Sequence, residues 1–455
     1  MPAPSPVEAG VERGFQVRHL FVVVPFFLVA VAAVRDIADN SFMWHVRAGT
    51  AQLDLGRVLT SDPFSYASPD ATWRTQSWLA ELGYGLLERW TGGLDWVGVV
   101  LFLIGAATLV FVGLTIYSRV QSPYAVAVWL VVLAWLAVPY IQPRPVVLSF
   151  VFLALVALIL RLDQRIDWTL IPAIWLWAAL HGSWITGIGL IVLVAVERRS
   201  WRLVWLAVAG AGAATLTAHG LGVWQVLYSF ADNSDALRLI QEWKAPDFAD
   251  PVQGPYLLLM IGILLAATKG RISTRQMIVV IPFLIFGMTS RRAVYPAAIV
   301  LIPYAAQMWV PKPRRVSTRG PLLVAAAVMV GAMVVAPLVV RVPQLDRTRF
   351  PSDLILSTVG PQPFFHNDVI GGYLIWRDWP ESQMFIDDRA ELFGAQFFED
   401  YQSTVAGRYE EVFDRYGMRA AIAAPDWPLV TVLERDGWRA YYRDEHFVVL
   451  RAPVE

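Results

Sequence analysis

Apolar residues fall in blocks along this chain, at about 19–34, 95–117, 123–140, 145–160, 168–180, 183–196, 203–218, 255–268, 276–289, 293–309 and 321–340. Each block reads as a membrane helix, about eleven crossings in all, although several are shorter than the ~17–25 residues a spanning helix needs. Short or broken helices are tolerated where they line a protein-walled or water-filled cavity. Between the first two blocks the pattern changes. Residues 35–93 interleave Asp36, Asp39, Asp54, Asp62, Asp70 and Glu81 with Phe42, Trp44, Phe64, Tyr66, Trp73 and Trp78. A connection of that length predicts a segment that folds on the membrane surface and supplies groups to a site.

The pattern changes again near residue 342. FFHND, QMFID, RAAIAA, WRAYY and HFVVLR read as short strands. Between them GGYLIWRDW, AQFFEDYQSTV, RYEEVFDRY and PLVTVLERDG read as helices with polar faces. The division is therefore a helical polytopic membrane domain over 1–341 and a small α/β domain over 342–455.

Composition agrees with a polytopic membrane protein: 56% of the 455 residues are hydrophobic, 16% are charged, and 20 are Trp. Net charge is zero, which gives no sign of a nucleic-acid partner. The absence of Cys excludes disulfides, thiolate chemistry and Cys-ligated metals. The polar N-terminus and the lack of a small-residue cleavage site predict a retained first helix rather than a signal peptide.

Basic residues orient the chain. With the N-terminus inside, the inner loops hold Arg119; Arg161 and Arg165; Arg198, Arg199 and Arg202; Lys269, Arg271 and Arg275; and Lys312, Arg314, Arg315 and Arg319. The short outer loops hold Arg144, Arg238, Lys244, Arg291 and Arg292. This asymmetry predicts a multi-pass protein of the plasma (inner) membrane, with a cytoplasmic N-terminus and an extracytoplasmic C-terminal domain. It also requires 168–180 and 183–196 to be separate helices, because merging them would put the Lys269 and Lys312 loops outside.

Candidate chemistry clusters at the outer ends. Asp36 and Asp39 follow the first block, where carboxylates are costly unless they face a cavity or a partner. One could act as a general base toward an acceptor hydroxyl. On a helical entry to the loop the two would share one face, with Asp39 nearer Trp44 and His45. Arg291 and Arg292 break the charge bias at an outer end, where an Arg pair suits bidentate phosphate binding, and Arg144 in QPRP is similar. His181 lies at the break between two short helices, and Glu242 in a second outer segment opened by His219. These scattered His, Asp and Glu could hold one divalent metal ion, but no local ligand spacing supports it. Asp387, Asp388 and Arg389 read as a structural ion-pair corner.

The order of these features resembles the GT-C superfamily, multi-spanning glycosyltransferases that use polyprenyl-phosphate-linked sugars. The words carrying the likeness are RDIADNSFMWHVRAG, LTSDPFSYASPDATWRTQSWLAE, QPRP, WLWAALHG, IQEWKAPDF, SRR and GGYLIW with FIDDRAELFG. Together they span nearly the whole chain. One departure is Ala179, which stands where the related W-x-N-x-H-G word carries Asn. The resemblance implies an acidic base in the first outer loop, here Asp39 supported by Asp36. It also implies a polyprenyl-phosphate sugar donor entering from the bilayer, a glycan, lipid or protein acceptor, and transfer with inversion. Arg291, Arg292 and Arg144 would then meet the lipid phosphate, with Trp44, His45, His181 and Glu242 around the sugar. The rivals are a lipid or glycolipid transporter or flippase, and a non-catalytic membrane assembly protein. Charges at helix ends rather than mid-helix, and the lack of an internal duplication, weigh against transport.

Overall fold

The computed structural model describes residues 24–68, 71–162, 164–224, 241–310, 331 and 342–453. Among them, ten of the expected apolar blocks are helical. They are α1 (Val24–Ala33), α4 (Val97–Val120), α5 (Pro123–Ala137, continued by a 3-10 turn to Tyr140), α6 (Val146–Ile159), α7 (Leu170–Leu180), α8 (Trp184–Arg198), α9 (Trp201–Ala214), α10 (Gly254–Thr268), α11 (Thr274–Thr289) and α12 (Val294–Trp309). The eleventh block, 321–340, lies outside the described residues apart from one position, and so do the inner loop with Lys312 to Arg319 and the outer Arg238. Two helices, Val97–Val120 and Pro123–Tyr140, are long and apolar enough to cross a bilayer.

Local chemistry sets the ends. Ser122, Ser200 and Ser273 cap α5, α9 and α11 by accepting a backbone N–H, the last as a capping box with Gln276. The break between α7 and α8 falls at His181–Ser183, as the charge pattern requires. The most enclosed helix is α12. Nearly all of its residues are buried, and it packs on α4, α5, α6, α10 and α11.

The first outer segment is itself helical in two places, α2 (Asn40–Leu55) and α3 (Trp78–Thr91). They cross in backbone contact, since a Cβ on Gly49 would lie 1.8 Å from the Glu81 carbonyl oxygen. Between α1 and α2 the chain is extended, not helical. Asp39 caps α2, and Ile37 pairs in parallel with Leu345. Asp36 and Asp39 therefore do not share a helical face, because pairing with Leu345 consumes the backbone groups a helix would need.

The C-terminal region holds α13 (Asp353–Val359), α14 (Asp368–Asp378), α15 (Ala390–Val405), α16 (Glu410–Tyr416), α17 (Pro428–Arg435), and strands β1 (Ala420–Ala423), β2 (Arg439–Arg443) and β3 (Val448–Arg451). The sheet is antiparallel with order β1-β3-β2, Ala420 facing Arg451 and Ala423 facing Val448. FFHND and QMFID do not form strands. Each contributes one bridge, Phe365 to Ala421 and Met384 to Ser65, because their backbones are shared between the sheet and the first outer segment. The region has a core of its own, built on Phe365, Phe385, Phe413, Leu429 and Leu450, and it also touches the rest of the chain. α14 packs on α2, and one apolar core continues from α1 through Ile375 and Met384 to Val449.

Candidate active site

Asp39 begins the site. As the α2 cap it is only 5% exposed, and its Oδ1 accepts the Phe42 N–H at 3.0 Å. Its Oδ2 accepts from Arg144 Nε. Arg144 stands in the turn before α6, and its Nη1 reaches both oxygens of Glu242, at 3.1 and 3.2 Å. Glu242 in turn meets Arg292 Nε at 3.5 Å, and the Arg292 guanidinium lies over the Trp243 ring. A chain of alternating charge thus runs Asp39–Arg144–Glu242–Arg292 through four segments remote in sequence. Burial opposes the charge on Arg144, but Asp39, Glu242 and Asp388 hold its pKa above the ordinary value.

A second layer lies beside it. His45 stacks on Trp44 with centroids 3.6 Å apart and reaches Glu81 Oε1 through Nδ1 at 2.8 Å. Fully buried Glu81 also accepts from Gln52 at 2.8 Å and from Thr75. His181 Nδ1 accepts the Ser183 backbone N–H at 3.1 Å, so the ring is neutral with its proton on Nε2. Burial, with Arg292 and His45 nearby, lowers its pKa to about 3.

The third layer comes from the far end of the chain. Asp388 Oδ1 accepts the Trp44 indole N–H at 2.8 Å, and its other oxygen accepts from Ser41. Burial raises its pKa, opposed by Arg144. Next to it, buried Arg389 donates to Asp387 and to Asp62 at 2.8 Å and lies over the ring of Trp73. Burial works against that charge too, yet the two carboxylates hold it.

Among the expected residues, Asp39, Arg144, Glu242 and Arg292 are directly linked, whereas Trp44 bonds to Asp388, His45 to Glu81 and His181 to Ser183. Arg291 adjoins the group but differs from Arg292. Its backbone N–H donates to the Lys244 carbonyl at 2.9 Å, its carbonyl accepts from Tyr140, and its buried Nε has no protein partner. Asp36 is separate and exposed, and it accepts the Gln344 N–H at 3.4 Å. Trp44 is 7% exposed and is occupied by His45, Trp73 and Asp388, so it is a packed donor rather than an open stacking surface. The corner 387–389 divides: Asp387 and Arg389 are structural, whereas Asp388 faces the site. A signal for Asp388 was present, since Arg389 follows two adjacent carboxylates and side chains one residue apart in non-helical backbone face opposite ways.

The residues do not fit a divalent ion. Among the described residues no group of three or more His, Cys, Asp or Glu is arranged for one, and the Arg144 guanidinium stands between Asp39 and Glu242.

No protein-family model and no curated protein matches this chain in sequence. Solved structures do match it in fold. The Archaeoglobus fulgidus oligosaccharyltransferase in its apo form superposes with a TM-score of 0.52 at 11% identity, over 89% of this chain and 70% of that one. The same enzyme in complex with Zn and sulfate gives 0.50 at 12% identity, over 96% and 73%. ArnT from Cupriavidus metallidurans in the apo state gives 0.45 at 13% identity, over 96% and 98%. At these identities the likeness is one of fold: the chain shares the architecture of that oligosaccharyltransferase.

Proposed function

We propose that the protein is an integral membrane glycosyltransferase that moves a sugar from a polyprenyl-phosphate donor to an extracytoplasmic acceptor with inversion. The observation that carries this reading is the linked chain Asp39–Arg144–Glu242–Arg292, set in a GT-C fold. In this reading the acceptor oxygen attacks the anomeric carbon and its proton passes to Asp39. The bond from that carbon to the donor phosphate oxygen breaks, and polyprenyl phosphate leaves with the electron pair. Each Asp39 oxygen has one recorded donor, which leaves lone pairs for an acceptor hydroxyl. Arg144 orients that carboxylate and neutralises part of its charge. Arg292 is about one-third exposed and bound to Glu242 only at 3.5 Å, so it is the cation most available to the donor phosphate. The N-terminal ends of α2, α6 and α12 lie beside these groups and add positive potential where an anion would bind.

The test is sugar transfer by purified protein from a polyprenyl-phosphate sugar. Asp39→Asn keeps shape and capping capacity but loses the base, so turnover is expected to fall about 10²–10⁴-fold while donor binding persists. Turnover at the wild-type rate in that variant would remove Asp39 from the mechanism. Asp388→Asn, run alongside, shows whether the base lies there instead.

A further inference from the structure

The helices that carry the site also carry a second cluster of charge at their other ends. Arg144 precedes α6 and Arg161 follows it. His181 precedes α8 and Arg198 ends it. Arg292 precedes α12, and Tyr304 lies ten residues into that helix. At 1.5 Å per residue the two clusters are separated by roughly 15–25 Å. Arg119, at the end of α4, completes the second one. Together these residues line a small cleft that is partly open to solvent.

The guanidinium groups of Arg119 and Arg161 lie over the Tyr304 ring, 4.7 and 5.3 Å from its centroid. Glu197 accepts the Tyr304 hydroxyl at 3.2 Å, and no carboxylate lines the cleft among the described residues. Helix C-termini attract cations, and Arg198 serves that purpose by donating to the Leu160 carbonyl. Capping does not account for the rest. Among the described residues Arg119 donates once, to Gln307, which leaves its Nε and Nη2, and Nη2 of Arg161, buried with no partner among those residues. Buried charged donors are costly unless an acceptor meets them. Leu160, Leu190, Val194 and Val300 form the apolar remainder of the wall.

We infer that this cleft is a second binding site, for a phosphate group, distinct from the site at Asp39. Forked guanidinium donors match phosphate oxygens, and a basic pocket between membrane helices with an apolar wall suits a phosphate on a lipid headgroup better than a free one. That the cleft opens to the inner leaflet rests on the orientation read from the basic loops. Its existence and its ligand do not depend on that orientation, or on glycosyl transfer.

The probes are phosphatidic acid, diacylglycerol and inorganic phosphate, added to the purified full chain in neutral detergent while thermal unfolding is followed. Phosphatidic acid is expected to raise the wild-type midpoint and diacylglycerol to leave it unchanged. The Arg119→Gln/Arg161→Gln variant should need about tenfold more phosphatidic acid for the same rise, the loss of one charge-assisted bond or more. Ala157→Leu keeps every arginine and fills the cleft, so it should show the same loss, and it decides the matter if the double variant does not fold. Arg202→Gln, whose partner Asp167 lies outside the cleft, should respond as wild type does. An unaltered response in both cleft variants overturns the inference. A rise from inorganic phosphate with none from phosphatidic acid overturns the lipid assignment and leaves free phosphate as the ligand.

Discussion

Asp387 and Asp388 are adjacent in sequence but meet different surroundings, Arg389 in one case and Trp44 with Ser41 in the other. Nearby Asp368, in the first turn of α14, offers a measurable consequence of that crowding. Burial, and then Asp388, raise its pKa from 3.8 to about 6. Below about pH 4 it is protonated both folded and unfolded, so folding carries no penalty. Above about pH 6 it is ionised in both states and folding carries the full penalty, about 3 kcal/mol at most for a shift of that size. Asp368→Asn is therefore expected to raise the unfolding midpoint at pH 8, with the gain vanishing near pH 4. A variant less stable than wild type at pH 8 would show that the ionised carboxyl is favourable in place. At this scale the sequence offered Asp39, Arg144, Glu242 and Arg292, the four that the structure links, one at a time, as charges at the ends of apolar blocks or between them. It could not place Asp388 with them, since that contact spans 344 residues and no local periodicity records it. It also could not separate Asp36 from Asp39, because extended pairing with Leu345 is a tertiary effect.

Elements show the same division between local and remote causes. Apolar blocks, Ser caps and the His181 break were legible because each is written within a few residues. At Gly371 and Gly372 the protein's own backbone approaches α14 closely. A Cβ on Gly371 would lie 1.7 Å from the Ile386 carbonyl oxygen, and one on Gly372 would lie 2.2 Å from that of Asn40. These contacts let α14 settle between α2 and the segment that carries Asp388. Gly371→Ala should therefore destabilise the protein by about 1–3 kcal/mol or more, because backbone rather than a flexible side chain must give way. Gly83→Ala is the matched comparison. That glycine lies in α3 with nothing within 4 Å of a built Cβ, and alanine there should be neutral or stabilising by up to about 1 kcal/mol. Equal losses in the two variants, measured by chemical unfolding, would contradict the packing account.

For the whole molecule, orientation is open to direct measurement because the chain has no cysteine of its own. With the basic loops inside, Gln402→Cys, exposed on α15, should react with a membrane-impermeant maleimide in intact cells. Arg275→Cys, exposed in the first turn of α11, should react only after permeabilisation. The reverse labelling pattern would invert the orientation. Legibility at this scale stopped at the contacts between the two ends of the chain, which are joined at Ile37–Leu345, Ser65–Met384 and Asp62–Arg389, pairings that no local pattern in the sequence carries. That joining has a temporal side. Asp62 emerges 327 residues before the arginine that neutralises it. At about 5–20 residues per second, a growing chain holds that carboxylate without its partner for roughly 15–65 seconds. Until Arg389 arrives, Trp73 and Phe64 lack the cation they enclose, and α2 lacks the Asp388 carboxylate. The surroundings of α2 are thus among the last parts of the protein to be finished, and a chain halted before residue 388 lacks both groups.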